Sequence, residues 1–192
     1  MLADSHRDSF DLQYKNRLLR EINDYSIRLT SVPATDDLFS IASSEIKRIT
    51  GVMGVAISTY DPDGKCLVLR HTTLSTDENS AITKTIGRKL LGMRFPVTPE
   101  IRGQIMSQVI ADAGTLSETT FGGIPRVIGS AIQRLIGIDW FTGLGLHYDD
   151  DLIGTIIMWG GKENSRPEND VLLAFAGISA NALRRWMLER DY

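Results

Sequence analysis

IDWFTGLGLHYDDDLIGTIIMWGG, residues 138–161, is the stretch whose reading decides the fold. It reads as two apolar strands folded back over the acidic turn Asp149-Asp150-Asp151. In the first arm Trp140, Thr142, Leu144, Leu146 and Tyr148 share one parity. Asp139, Phe141, Gly143, Gly145 and His147 share the other, which is the period of two of a strand. The second arm, Leu152 to Trp159, is apolar on both parities, so it belongs at the centre of a sheet covered on both faces. Glycines 143, 145 and 154 remove side chains from strand interiors, which a closely approaching helix or ligand would require.

Working outward, Pro125 opens a helix with the stripe Ile128, Ile132, Leu135 and Ile136, closed by Gly137 as a left-handed cap. Before it, Asp112 to Gly123 is polar and without period, and reads as a loop, mobile without ligand, with Phe121-Gly122-Gly123 at its tip. After the hairpin, Ser165-Arg166-Pro167-Glu168 resembles a capping box for a last helix running to about Glu189. Its apolar positions circle most of its circumference, so one face meets the sheet and another a second helix.

A further hairpin is expected from Val52 to Tyr60 and Cys66 to Leu74, joined by Asp61-Pro62-Asp63-Gly64. A helix over about Ala81 to Leu91 and brief strands at Met93 to Val97 and Val109 to Ala111 follow, with Thr98-Pro99-Glu100 starting another helix. At the N-terminus Phe10, Tyr14, Leu18, Ile22, Tyr25 and Leu29 recur at steps of four and three, which predicts a helix from Ser9 to Leu29. Thr35 then reads as the N-cap, with Asp36 and Asp37, of a second helix ending near Ile49.

With 192 residues the chain suits one domain, organised as an N-terminal dimerisation helix over 1–32 and a globular unit over 33–192. The net charge of −3, with both signs interspersed, offers no footprint for nucleic acid. No apolar run approaches the roughly 20 residues of a membrane span, and no secretory segment opens the chain, so a cytoplasmic setting is expected. The single cysteine, Cys66, allows no internal disulfide and reads as inert.

Catalytic motifs are absent: CxxC, HExxH, GxSxG and the Walker A loop have no match, and no catalytic residue is assigned. Gly143-Leu144-Gly145 lacks the third glycine of a dinucleotide loop, since Tyr148 stands there. Three adjacent turn carboxylates do not converge on a cation, so no metal is expected. His71 and His147 could each reach a pocket.

The order of elements resembles a GAF domain over nearly the whole chain. Two helices precede TGVMGVAIS and the DPDG hairpin, inserted helices precede the second hairpin, and LIGTIIMWGG leads to a capped terminal helix. The resemblance implies an α+β fold, GAF/PAS-like, with an antiparallel sheet that carries the terminal helices on one face. Inserted short helices and loops cover the other face over a small-molecule pocket. It implies a sensory or regulatory module that signals through its terminal helices to an effector domain, in cis or in trans, such as a histidine kinase of a two-component system or a transcription regulator. A ligand-free structural dimerisation domain is the alternative, and a GAF-fold enzyme the third reading. The NKFDE-type motif of cyclic-nucleotide-binding members is missing, segment 75–137 has no cysteine for bilin attachment, and one cysteine is too few for a methionine sulfoxide reductase of this fold. The ligand and any cofactor therefore stay unassigned.

The pocket is placed at Phe95, Phe121, Ile128, Phe141, Gly143 and His71. Parity alone leaves open the opposite assignment, in which the glycines admit the last helix. A homodimer is expected through Leu18, Ile22, Tyr25, Leu172, Phe175, Ala182 and Trp186, because both helices carry more apolar surface than one sheet face absorbs.

Overall fold

The structure, a computed structural model, describes the backbone of residues 2–33 and 37–190 and the side chains of residues 12–33 and 37–189. The N-cap expected at Thr35, with Asp36, lies outside the described residues, as does the side chain of Phe10. The elements run α1 (Leu2–Ser31), α2 (Asp37–Thr50), β1 (Gly54–Asp61), β2 (Cys66–Thr72), α3 (Thr76–Ile86), β3 (Arg94–Pro96) and α4 (Pro99–Ser107). They continue with β4 (Ile110–Ala113), α5 (Leu116–Thr119), α6 (Arg126–Ile136), β5 (Trp140–Tyr148), β6 (Asp151–Gly160) and α7 (Asn169–Arg190). All strands pair antiparallel in one sheet of order β3-β2-β1-β6-β5-β4.

Strand β6 lies between β1 and β5, and from Leu152 to Gly160 every residue but Ile157 is buried. An apolar run on both parities therefore occupies the place that needs cover on both faces. Tyr148 pairs with Asp151, so Asp149-Asp150 is the two-residue loop, with Asp149 in the left-handed region at φ 50°. Aspartate tolerates that conformation, which matches the twist of the flanking strands.

The terminal helices cover one face. Leu144, Leu146, Ile156, Met158, Val55 and Ile57 of the sheet pack there against Tyr25 and Leu29 of α1, Phe39 and Ile46 of α2, and Leu172, Phe175 and Leu183 of α7. The hydroxyls of Tyr25 and Ser179 share a buried hydrogen bond of 2.7 Å, and Phe39 meets Trp186 edge-on at 4.8 Å. The Arg185 guanidinium donates to the carbonyls of Leu29, Thr30 and Val32, which satisfies the exposed carbonyl end of α1 and ties it to α7.

Inserted elements α3 to α6 cover the other face, and two of them depart from the expected boundaries. The polar residues after β2 are already helical, because Ser75 and Glu78 form a capping box, and Gly87 ends α3 well before Leu91. Segment 112–123 is not an irregular loop: β4 runs to Ala113, and a second capping box, Thr115 with Glu118, starts α5. At the last helix the expected box is not the start either, since the Leu172 N–H bonds the Glu168 carbonyl and helix begins at Asn169.

Two bulges decide which side chains face which layer. Ile57 pairs with His71 and Ser58 with Leu69, so Arg70 is the extra residue. Arg70 and His71 consequently turn to the same side, that of the terminal helices. Arg70 donates to Thr59 Oγ1 at 2.7 Å and lies 5.4 Å from the Trp186 ring, while His71 Nδ1 lies 2.8 Å from Ser43 Oγ of α2. Thr72 is thereby returned to the opposite face. On β6 the pairs Leu146–Gly154 and His147–Leu152 leave Ile153 extra, so Leu152 faces the inserted elements and Ile153 the terminal helices.

Burial holds the His71 imidazole below its ordinary value of 6.5, so the fold favours the neutral ring. That contribution is complete above the unfolded-state value and is lost as pH falls from there through the lower folded value. Thermal unfolding between about pH 7.5 and about pH 5.5 should show a Tm that drops on acidification in the wild type and drops less in His71→Asn. Equal slopes would contradict the assignment.

Candidate functional site

The face under the inserted elements is hollow. A chamber of about 100 Å³, the inner one, lies between the sheet residues Thr155, Ile157, Trp159 and Phe141 and a roof that includes Ile82 of α3, Leu116 of α5, and Ile132 and Ile136 of α6. Its walls are almost wholly apolar, with Ser58, Thr72, Thr119, Thr120 and Thr155 as the hydroxyl-bearing residues. A second chamber of about 250 Å³ adjoins it toward β4 and β5, lined by Gln104, Ile105, Gln108, Asp112, Glu118, Gly143 and Gly145 among others. Thr119, Phe121, Thr155 and Ile157 line both.

Phe121 stands between the chambers in the left-handed region, φ 52°, where an aromatic residue is a genuine outlier. The turn around it is fully bonded: Phe121 N–H to Glu118 O, Gly122 N–H to Ser117 O at 2.7 Å, and Gly123 N–H to Thr120 O at 2.9 Å. The Thr120 hydroxyl donates to Leu116 O and accepts from the Ile124 N–H. Surrounding bonds thus hold a conformation that costs of order 1–3 kcal/mol and is characteristic of ligand clamps and switches.

Gly143 and Gly145 face this side for different reasons. A Cβ at Gly145 would lie 2.7 Å from the Ile105 carbonyl oxygen, so α4 rests on the strand there and only glycine fits. At Gly143 a Cβ would meet nothing closer than Ala111 O at 3.6 Å, an ordinary contact, and the residue lines the outer chamber. Packing demands the first glycine; the second leaves space. The last helix packs on the other parity, against Leu144 and Leu146, so it is an inserted helix that the glycine admits.

Of the residues expected at a pocket, Phe95, Phe121 and Phe141 come together around the inner chamber and Gly143 lines the outer one. Ile128 packs on the same apolar cluster but lines neither chamber; Ile132 and Ile136, further along α6, do so instead. His71 does not join them, because the bulge at Arg70 turns it toward Ser43 on the far face. His147 sits at the hairpin end and lines neither chamber. The floor Thr155, Ile157 and Trp159 was missing from the expected set, although these residues share one parity of β6 and could have been read from it.

The residues expected at a dimer face divide. Tyr25, Leu172, Phe175, Ala182 and Trp186 are buried in the protomer's own terminal-helix layer, and Leu18 and Ile22 are half-buried against it. Among the described residues no group of His, Cys, Asp and Glu could hold a metal ion. No helix among them is long and apolar enough to cross a membrane.

No protein-family model and no curated protein sequence matches the chain. Solved structures do. The chain is similar to the chromophore-binding domain of a bacteriophytochrome from R. palustris, with TM-score 0.62 at 16% identity over 93% of this chain and 63% of that one. It is similar to the GAF domain of a phosphoenolpyruvate-protein phosphotransferase from Acinetobacter, with TM-score 0.65 at 13% identity over 90% of this chain and 96% of that one. A third is the phycocyanobilin-bound GAF domain of a cyanobacterial phytochrome, with TM-score 0.59, 15% identity and 91% and 98% covered. The chain spans less than two thirds of the bacteriophytochrome domain. Identities this low speak for the architecture, and with the sheet order, the two-sided cover and the hollow inserted face they lead to one statement: the chain has the fold of a GAF domain.

Proposed function

We propose that the chain is a sensory GAF domain that holds a small, mostly apolar molecule between the sheet and the inserted elements. It passes the change through α1 and α7 to an effector, in cis or in trans, such as a histidine kinase or a transcription regulator, and acts in the cytoplasm without catalysis of its own. The observation that carries this reading is Gly143: a strand residue whose missing side chain is not needed by any neighbour, open to a chamber that shares lining residues with an apolar cavity. A pocket of mostly apolar walls with a few polar groups is the usual form of a small-molecule site. Neighbours of this fold include bilin-bound GAF domains of phytochromes, which supports a ligand-carrying role without naming this chain's ligand.

The effector route calls for a partner helix, and α1 has a face for one. Leu12, Leu19 and Ile27 lie at steps of seven and eight along α1 and are 62%, 64% and 55% exposed, with Leu188 of α7 exposed as well. Such a stripe is what a second copy would cover in a helical dimer. Size-exclusion chromatography with light scattering should show a dimer at tens of micromolar, converted by Leu12→Glu with Leu19→Glu to a monomer of unchanged circular dichroism. A monomeric wild type would oppose the dimer.

Native mass spectrometry of protein purified from cells is the test of the ligand. A bound small molecule should be present in the wild type and absent from Gly143→Leu, which should keep the wild-type melting profile. Gly145→Ala, which drives a methyl group into the α4 backbone, should instead destabilise the fold by about 1–3 kcal/mol. A Gly143→Leu variant that retains the bound mass would defeat the placement. A wild type that carries none would favour the ligand-free dimerisation domain.

A further inference from the structure

This inference rests on the reading of the cavity as a ligand site and asks what the two chambers would select. The inner chamber, about 100 Å³, is smaller than the roughly 150 Å³ cavity that accommodates a benzene ring. It suits the end of an aliphatic chain rather than a whole ring or a nucleobase. Anything longer must run past Phe121 over the shared floor of Thr155 and Ile157 into the outer chamber, which at about 250 Å³ is the larger of the two.

The outer chamber is polar in a one-sided way. Gln104 of α4, Gln108 at its C-cap and the carboxylates of Asp112 and Glu118 line it, and no lysine, arginine or histidine is among its lining residues. Glu118 Oε2 accepts the N–H groups of Gly114 and Thr115, and these bonds hold its carboxyl below the usual range, so it is ionised at neutral pH. Asp112 Oδ1 accepts from Thr142 Oγ1 at 2.7 Å and pairs with Arg166, which is not a lining residue. A carboxylate or phosphate head placed here would meet these two carboxylates, while the cations beside them, Arg166 against Asp112 and Arg126 near Glu118, lie outside the lining; this is selection by exclusion. A protonated amine would meet acceptors.

We propose that the two chambers form one bipartite site for an amphiphilic amine, with a short aliphatic tail in the inner chamber and the nitrogen in the outer one facing Glu118 and Asp112. Phe121 is the partition that the tail passes, which gives its enforced left-handed backbone a purpose: the ring is fixed at the junction instead of filling either space.

The test uses the full chain and three six-carbon probes, hexan-1-ol, hexylamine and hexanoate, titrated while amide shifts are followed by heteronuclear NMR. Hexan-1-ol and hexylamine should move the amides of Phe121, Gly143 and Thr155. Hexylamine should bind about tenfold more tightly than hexanoate at low salt, with the ratio shrinking as salt screens exposed carboxylates. Glu118→Gln keeps the capping role of the side chain and should reduce that ratio to about threefold or less, with Asp112→Asn as the second variant. Hexanoate binding as tightly as hexylamine, or a ratio indifferent to both variants, would overturn the amphiphilic-amine site while hexan-1-ol binding leaves the cavity standing. Failure of all three probes to move those amides would overturn the cavity reading and this inference together.

Discussion

Strand β6 must be buried on both faces, and the rest of the structure follows from that constraint. Ile156 and Met158 need cover on one side, and Thr155, Ile157 and Trp159 need it on the other. A hairpin with β5 and pairing with β1 satisfy its backbone groups, leaving two sheet faces to be closed by what precedes and follows. The terminal helices close one with interlocking large side chains. The inserted elements close the other incompletely, because short capped helices joined by turns bridge over the floor instead of lying along it.

The two faces are therefore different in kind. On the terminal side Tyr25, Phe39, Phe175 and Trp186 interlock with edge-on ring contacts, and the Tyr25–Ser179 and Arg185 hydrogen bonds bind α1 to α7. Close-packed interiors transmit displacement rather than absorb it. On the inserted side the strained turn at Phe121 and the bare backbone at Gly143 preserve space. Since Thr155 and Ile156 are neighbours on one strand, a change that moves the floor of the cavity also bears on the layer beneath the helices.

Much of this was legible in the sequence. The parity of β5 separated Phe141, Gly143 and Gly145 from Trp140, Leu144 and Leu146, and the structure keeps that division. Parity could not say which face was which, and it failed where bulges reset it: His71 shares the parity of Leu67 and Leu69 on paper, yet the extra residue Arg70 sends it to the other side. Two short helices were obscured by polar composition, although Ser75 with Glu78 and Thr115 with Glu118 both carry the spacing of a capping box. The apolar positions of α1 and α7 exceed what one sheet face absorbs. Most of that excess is consumed inside the protomer, because α2 joins them in one layer and places Phe39 against Trp186. What stays exposed is the separate stripe at Leu12, Leu19 and Ile27.

The central claim is that the sheet is packed solid under the terminal helices and hollow under the inserted ones. Xenon under moderate pressure is the most direct probe, since it enters dry apolar cavities without needing a polar contact. The account predicts that amide and methyl signals of Ile132, Phe141, Thr155 and Ile157 shift with xenon pressure while those of Tyr25, Phe175 and Leu183 stay in place. Shifts confined to the terminal-helix layer, or none at the cavity, would contradict it.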